Sequence, residues 1–542
     1  MAMPSAARYR LYALGALYAL PYVAMLYFCA MHGSKPRSVL ALLATAALGS
    51  LLLAGCTRTW RRFFLAYFPL LIVSIAYTVY ALVYGIVPGR TLGMLLLSAS
   101  SEEIRGLLIL WPRKWLLLPL VAALTAYLWL AWRLPEWAIF SGKANIGARV
   151  ILVLTLPITA YAATSTAQLV DGIALNPVAG SVMFFAGQLP RARAEIRGAN
   201  VVKVPYHATP VTAEEVHVLI VGESARRGSW SVYGYQRRTT PYLERIKDEM
   251  ILLRHVTADA NLTVLAVPMI LTGVAPQQLA GTRLRGNLLD VAKEGGYSTS
   301  WLVNQDIQVS TAIGITPDHL DYPPEMQSDV FGRNVPDSEL LGAYRRELLR
   351  TGSPRFIGMH VMGSHWEYYR RYPPSFQRFG QAHQLNPLSI ARSGQSVDQA
   401  MVDSYDNSVL YTDWFLAQVI EAARQLRVPV TVTFIPDHGE SLSALDQGFA
   451  GHGGPEYSAS QFQIPALVWV NDYYRRSHPQ QVAALKANAA KQIRSHDFFY
   501  TVADLMGVTW PQAKPERSFA SELFVPDTSG AMLVGGVPQA HP

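Results

Sequence analysis

Apolar positions are spread unevenly along the chain. The first third carries long uninterrupted runs, and the remainder alternates short apolar runs with amphipathic stretches. Residues 9–31, 38–56, 63–87, 115–132 and 147–165 are each within or near the roughly 17–25 apolar residues that cross a hydrocarbon core of ~30 Å. The pattern therefore predicts five spanning helices within residues 1–165. The first run is too long for a cleaved leader and is followed by further spans. Between the third and fourth runs, 91–110 mixes apolar positions with Ser100, Ser101, Glu102, Glu103 and Arg105. It reads either as a solvated loop or as an interfacial helix that helps shape a lipid headgroup site.

Residues 166–212, with Asn176-Pro177, Gly180 and a basic stretch from Arg191, read as a partly helical bridging linker. A second domain is expected over 213–525. In it Val216–Val221, Thr299–Val303, Phe356–Val361 and Val430–Ile435 are short strand-like runs. Helical patterns at 288–293, 403–424 and 480–494 separate or follow them, and such alternation predicts a mainly parallel sheet covered by helices. The Gly- and Pro-rich residues 526–542 are expected to be an irregular tail.

The net charge of +8 raises the question of nucleic acid. No aromatic-and-basic module accompanies it, so no nucleic-acid partner is expected, and many basic residues instead flank the apolar runs. Arg8, Arg10, Arg58, Arg61, Arg62, Arg133 and Lys143 fall on one side if all five segments cross, against Lys35, Arg37, Arg113 and Lys114 on the other. This bias puts the N-terminus in the cytoplasm and the second domain outside. The two cysteines, Cys29 and Cys56, both lie in apolar runs. Neither a disulfide in the second domain nor a cysteine metal site is expected.

The candidate chemistry starts at Val218–Gly228, V-L-I-V-G-E-S-A-R-R-G, where an apolar strand ends in Glu223. Open α/β sheets place their ligands at such strand ends. Thr263 precedes an apolar helical run, where it is either an N-cap or a hydroxyl poised at the positive end of the helix. Ser224 is a rival hydroxyl whose bland reading is likewise an N-cap. Asp437 and His438, in I-P-D-H-G-E, follow another strand run and form an oxygen-plus-imidazole donor pair of the kind zinc takes. His360 and His365 flank V-M-G-S, and His452 lies between two glycines. Since 12 of the 13 histidines fall after residue 166, composition alone does not single these out.

Several ordered motifs carry a resemblance. G-E-S-A-R followed by Y-G-Y and T-T-P-Y-L, the spacing from Thr263 to Pro268, H-V-M-G-S-H-W-E-Y-Y-R-R-Y-P, Y-D-N-S-V-L-Y-T-D, P-D-H-G-E-S-L and S-H-D-F-F-Y-T follow in order from Gly222 to Thr501, and the resemblance they carry extends over nearly the whole chain. Together they resemble the bacterial phosphoethanolamine transferases, sulfatase-like members of the alkaline phosphatase superfamily. The resemblance implies a five-helix transmembrane domain in the bacterial inner membrane, followed by an α/β/α catalytic domain in the periplasm. It implies a zinc held by Glu223, Thr263, Asp437 and His438, with Thr263 the nucleophile. His360, His365 and His452 match histidines near the donor phosphate, where they bind substrate, move protons or hold a second zinc. Asn304 and Gln305, in W-L-V-N-Q, match part of the substrate pocket in one branch.

The implied reaction moves phosphoethanolamine from phosphatidylethanolamine through a phosphothreonine to a lipopolysaccharide core sugar, lipid A or another periplasmic glycan. A phosphoglycerol transferase, or a phosphodiesterase or sulfatase-like hydrolase, would use the same metal site. The chain departs from the lipid A branch in lacking cysteines around the nucleophile. Asn261 and Leu262 replace small polar residues, and Pro436 replaces a serine. The lack of disulfides, with W-L-V-N-Q, makes it resemble more the branch that modifies core sugars and other glycans.

Overall fold

The computed structural model describes residues 4–84, 87–89, 92–93, 96–97, 117–139, 166–196, 201–279, 284–305, 310, 313–322, 335–380, 396–448, 451–454 and 457–540. They form two compact units, a helical one reaching Arg193 and an α/β one from Ala194 on.

In the helical unit, Ser5–Met31, Pro36–Thr57 and Trp60–Tyr84 are helices. All three are long and apolar enough to cross a membrane. The run expected at 115–132 gives a shorter helix, Leu117–Trp132. The run at 147–165 and most of the interfacial segment 91–110 lie outside the described residues. Leu169–Leu175 and Pro177–Ala194 meet at a bend of 106° and count as one further candidate span only if taken together. Among the described residues the count is thus three, or four with the bent pair, and the expected five is not reached. Asn176 makes the bend by accepting from the Val178 and Ala179 N–H groups, both at 3.0 Å, while Pro177 begins the new helix without needing a partner for a missing N–H. Leu14, Phe64, Tyr67 and Tyr127 fill the core of the unit, whereas Leu20, Val23, Leu52, Leu118 and Trp129 face outward. So large an apolar exterior suits lipid rather than water.

The α/β unit is built on an eight-stranded sheet in the order β4-β3-β5-β1-β6-β7-β2-β8. Its strands are β1 Val216–Gly222, β2 Met250–Thr257, β3 Ser298–Val303, β4 His319–Asp321, β5 Arg355–His360, β6 Val430–Pro436, β7 Gln463–Val470 and β8 Gln492–Arg494. All neighbours pair in parallel except β7, which opposes both β6 and β2. The sheet is thus mainly parallel, as expected, and mixed through a single reversed strand.

Strand β1 is buried on both faces. Val216, Val218 and Ile220 join the core under helices Leu340–Leu348 and Val397–Arg424, and Leu219 and Val221 join that under Thr263–Thr272, Leu288–Glu294 and Asp497–Leu505. Alternation within a wholly apolar run thus fills two layers at once. Two readings are corrected. The helix expected over 480–494 stops at Asn488, whose amide bonds the Phe519 and Ser521 carbonyls, and the chain then joins the sheet edge as β8. The tail is not irregular, because β9 Ala531–Val534 and β10 Val537–Ala540 form a hairpin around Gly535-Gly536. Both glycines have positive φ, as two-residue hairpin turns require.

Candidate active site

Four adjacent strands, β3, β5, β1 and β6, end on the same edge of the sheet. Register sets Val221 beside both His360 and Ile435, and Gly222 beside Pro436. The residues following these strands are therefore neighbours: Asn304 and Gln305, the 361–365 loop, Glu223, and Asp437 with His438. Thr263 arrives from beyond β2 as the first residue of its helix. Its N-cap is Leu262, so the capping role considered for Thr263 falls away and its hydroxyl is turned elsewhere.

That hydroxyl lies 3.2 and 3.4 Å from the two Glu223 carboxylate oxygens and 3.3 Å from His438 Nε2. His438 Nε2 is also 3.6 Å from Glu223 Oε1 and 3.3 Å from Asp437 Oδ2. His438 Nδ1 donates to the Gly439 carbonyl at 2.8 Å, which fixes the tautomer and leaves the Nε2 lone pair facing the oxygens. Asp437 Oδ1 accepts from the Ser224 and His438 N–H groups, whereas Oδ2 is buried with no hydrogen bond. An unpaired carboxylate oxygen, a second buried carboxylate and an imidazole lone pair converging in this way are costly unless a cation sits among them.

The donor set fits zinc in both chemistry and spacing. A tetrahedral ion bound at about 2.0–2.1 Å separates its ligand atoms by roughly 3.3–3.4 Å. The measured separations of 3.2–3.6 Å bracket that value. Burial, and then the neighbouring Asp437 charge, push the Glu223 carboxyl well above its ordinary range. Burial likewise lowers His438, against the pull of Asp437.

Gln305 Nε2 donates to Glu223 Oε2 at 3.0 Å, so this residue touches the donor set directly. Asn304 does not: its amide nitrogen bonds Asp337 and the Val335 carbonyl. His452 lies beside His438 with ring centres 4.2 Å apart and the rings tilted by 43°. One ligand atom each from Glu223, His438 and His452 lies within 4.8 Å of the others. His365 stands one step out, its ring 6.5 Å from that of His452. Burial takes it well below the ordinary imidazole range, with Arg371, His452 and His438 adding to the effect. His360 is wholly buried with no hydrogen bond at either ring nitrogen, and burial brings it down to about 4, against an upward pull from Asp437. Ser224 has φ +51 and donates to Glu223 Oε1 at 2.8 Å, so it orients the carboxylate and is not an N-cap.

Two supports escaped the sequence reading. Glu440 accepts from His452 Nδ1 and from the Tyr368 hydroxyl, both at 2.6 Å. Its place in D-H-G-E was the available signal. Asp337 accepts from the Met362 and Gly363 N–H groups and so pins the loop between His360 and His365. Gly363, at φ +50, lets that loop press on the Glu223 backbone, where a Cβ would come within 2.8 Å of the carbonyl oxygen. Nothing around Asp337 in the sequence announces this.

The sequence pattern of the Sulfatase family matches residues 216–508. The chain belongs to the sulfatase family. Within it, the chain is 28% identical over 318 residues to the Kdo(2)-lipid A phosphoethanolamine 7''-transferase of Escherichia coli K12, covering 57% of this chain and 54% of that protein. It therefore spans about half the length of that relative. Among solved structures, the integral membrane lipooligosaccharide phosphoethanolamine transferase A of Neisseria meningitidis matches with a TM-score of 0.67 at 21% identity, over 95% of this chain and 97% of that one. The zinc complex of the C-terminal periplasmic domain of Escherichia coli EptC matches with a TM-score of 0.52 at 21% identity, over 59% and 90% of the two chains. At these identities the structures establish a shared sulfatase-type fold.

Proposed function

We propose that this sulfatase-family protein is a zinc-dependent phosphoethanolamine transferase of the bacterial inner membrane. In this reading five spans within 1–165 anchor a periplasmic catalytic domain over 213–525. It takes phosphoethanolamine from phosphatidylethanolamine and passes it to lipopolysaccharide, at a core sugar or lipid A, or to another periplasmic glycan. The observation that carries the reading is the Thr263 hydroxyl, set at a helix start and within 3.4 Å of both Glu223 and His438.

Glu223, Thr263, Asp437 and His438 would hold the zinc, with His452 and His365 near enough to serve a second. Bound there, zinc favours the ionised threonine hydroxyl and offsets charge on the phosphoryl oxygens. Thr263 Oγ1 attacks the donor phosphorus in line, the phosphorus–oxygen bond to diacylglycerol breaks, and a phosphothreonine ester forms. His452 or His365 supplies the proton to the departing oxygen. The same group then takes the proton of the acceptor hydroxyl or phosphate as that oxygen displaces Thr263. Gln305 and Ser224 keep the Glu223 carboxylate aimed at the reacting hydroxyl throughout. His360 and Asn304 complete the substrate side of the pocket.

Intact-mass analysis tests this on wild type, Thr263→Ala and Ser224→Ala after incubation with phosphatidylethanolamine and zinc. A phosphoethanolamine adduct lost only in Thr263→Ala is expected. No adduct on zinc-loaded wild type would sink the donor and the covalent route, and release of free phosphoethanolamine without an acceptor would favour the hydrolase.

A further inference from the structure

Asn261 lies two residues before Thr263, is wholly buried, and uses both ends of its amide. Its Oδ1 accepts from the Gly535 N–H at 2.9 Å, and its Nδ2 donates to Gln461 Oε1 at 2.8 Å and to the Gly454 carbonyl at 3.4 Å. Its own N–H reaches the Leu533 carbonyl at 3.3 Å, and Leu533 N–H returns to the Asp259 carbonyl at 2.8 Å. Gln461 is equally buried and continues outward. Its Nε2 donates to Ser441 Oγ at 2.9 Å and to the Gly451 carbonyl at 3.1 Å, and its backbone carbonyl accepts from Gly439 N–H at 2.8 Å.

Asn261 itself sits two places before Thr263, and the pair's partners Gly439, Ser441, Gly451 and Gly454 each sit one or two places from His438, Glu440 or His452. They lie in the loop before Thr263 and in two stretches of the connection between β6 and β7, which is remote from that loop in the sequence. Steric contact reinforces the same junction, since a Cβ on Gly453 would come within 2.5 Å of Leu262 Cδ2. The β9–β10 hairpin closes the arrangement from outside, with Met532, Leu533 and Val534 buried.

We infer that the Asn261–Gln461 amide pair is a positioning clamp. It sets the Thr263 loop in register with the two loops that bring His438 and His452, and the C-terminal hairpin braces it. The inference rests on the reading of Thr263 as nucleophile. Neither amide touches the reacting atoms, so both act through the residues they hold. A buried hydrogen-bonded amide suits this task because it carries no charge to disturb the donor cluster, and both its oxygen and its nitrogen are engaged. Reacting groups displaced by about 1 Å lose on the order of 100-fold in rate, so a clamp of this kind shows itself in turnover rather than in affinity.

The test uses the full chain in detergent, loaded with zinc, with fluorescent phosphatidylethanolamine as donor. Wild type, Asn261→Ala, Gln461→Ala, the double variant, Asn261→Gln and Thr263→Ala are compared for kcat, KM and thermal midpoint, with hydrogen exchange of the 258–265 peptide. Either single alanine variant should lower kcat about 10- to 100-fold with KM changed less than about threefold. The double variant should be no slower than the worse single one, because both break one link, and the 258–265 amides should exchange faster. Asn261→Gln keeps the amide but lengthens its reach, and should leave kcat low while restoring the thermal midpoint. Unchanged kcat in both single variants, with Thr263→Ala inactive, overturns the clamp alone. So do kcat losses that multiply in the double variant and track the thermal midpoint. Full activity in Thr263→Ala overturns the nucleophile reading and the clamp with it.

Discussion

His452 donates from Nδ1 to Glu440 Oε2 at 2.6 Å, and the other Glu440 oxygen is held by the Tyr368 hydroxyl at the same distance. The carboxylate thus fixes the ring orientation, as an outer partner does for a proton carrier or metal ligand. Glu440→Gln can donate where only an acceptor is wanted. Turnover should fall about 10- to 100-fold, in the range typical of lost outer-shell partners, while the thermal midpoint stays close to wild type. Steady-state assays beside a melting curve check this, and an active Glu440→Gln would remove His452 from proton transfer.

Asp437 Oδ2 is the buried donor with no hydrogen bond, and Asp437 is also a charge that pushes Glu223 up. Asp437→Asn should therefore act in opposite directions on the two forms of the protein. Without metal it relieves a buried like-charge pair, so the thermal midpoint holds or rises. The gain in midpoint on adding zinc should shrink, since binding to the native state stabilises it by an amount that grows with the logarithm of affinity. Chelation should abolish turnover in wild type and zinc restore it. A wild-type protein whose melting and activity ignore both chelator and zinc would contradict the metal reading.

The strand runs at 216–221, 299–303, 356–361 and 430–435 were legible because a strand buried on both faces reads as a continuous apolar segment. They correspond to β1, β3, β5 and β6, the four strands that serve the site. The reversal of β7 was not legible, because direction is a property of the pairing and leaves no mark on the pattern of Gln463–Val470. Glu223, Asp437 and His438 could be picked out because strand ends and glycines mark them. Asp337 and Gln461 could not, since their roles consist of partners that only the fold brings beside them: Met362 and Gly363 for one, Asn261, Ser441 and Gly451 for the other. The hairpin at 531–540 had a signal in Val534-Gly-Gly-Val537, outweighed in the reading by the Gly and Pro content around it.

Asp259 supplies a pH dependence. It accepts from Arg494 Nε and Nη2 at 2.9 and 2.7 Å, from Ser495 Oγ at 2.7 Å, and from His496 N–H and Nδ1 at 2.7 and 2.9 Å. Burial alone would raise its carboxyl, but His496 and Arg494 outweigh burial and hold it below the ordinary range. The folded chain therefore binds this proton more weakly than the unfolded one. The stabilisation is complete above an unfolded pKa of about 3.9 and is lost as pH falls through the lower folded value. His496 runs the other way: burial lowers it, Asp259 more than compensates, and its contribution fades as pH rises past about 6.5 through the raised folded value. Asp259→Asn leaves Arg494 buried against a neutral partner and should cost ~3 kcal/mol. It should also flatten the acid limb of a stability profile followed by tryptophan fluorescence, and an unchanged acid limb would refute the assignment.

Gly439 separates His438 from Glu440, and its lack of a side chain is a spatial requirement. A Cβ there would overlap the Ser460 carbonyl oxygen and crowd the Ser460 and Gln461 carbonyl carbons at 3.1 and 3.3 Å. These are backbone atoms that no rotamer change can move, and Gly439 N–H is tied to the Gln461 carbonyl at 2.8 Å. Gly439→Ala must therefore shift the loop, moving His438 Nε2 away from Thr263 and Glu440 away from His452 together. Overpacking of this kind costs about 1–3 kcal/mol, and the displaced donors should weaken zinc binding at least ~10-fold. Gly342 is the control, since it lies inside helix Leu340–Leu348 and a Cβ there meets only Arg346 Nη1 at 3.8 Å. Gly342→Ala should gain roughly 0.5–1 kcal/mol from helix propensity with zinc affinity and turnover unchanged. Zinc titration and melting of the two variants side by side decide the matter, because equal effects would mean that Gly439 is no more constrained than a glycine on an open helix face.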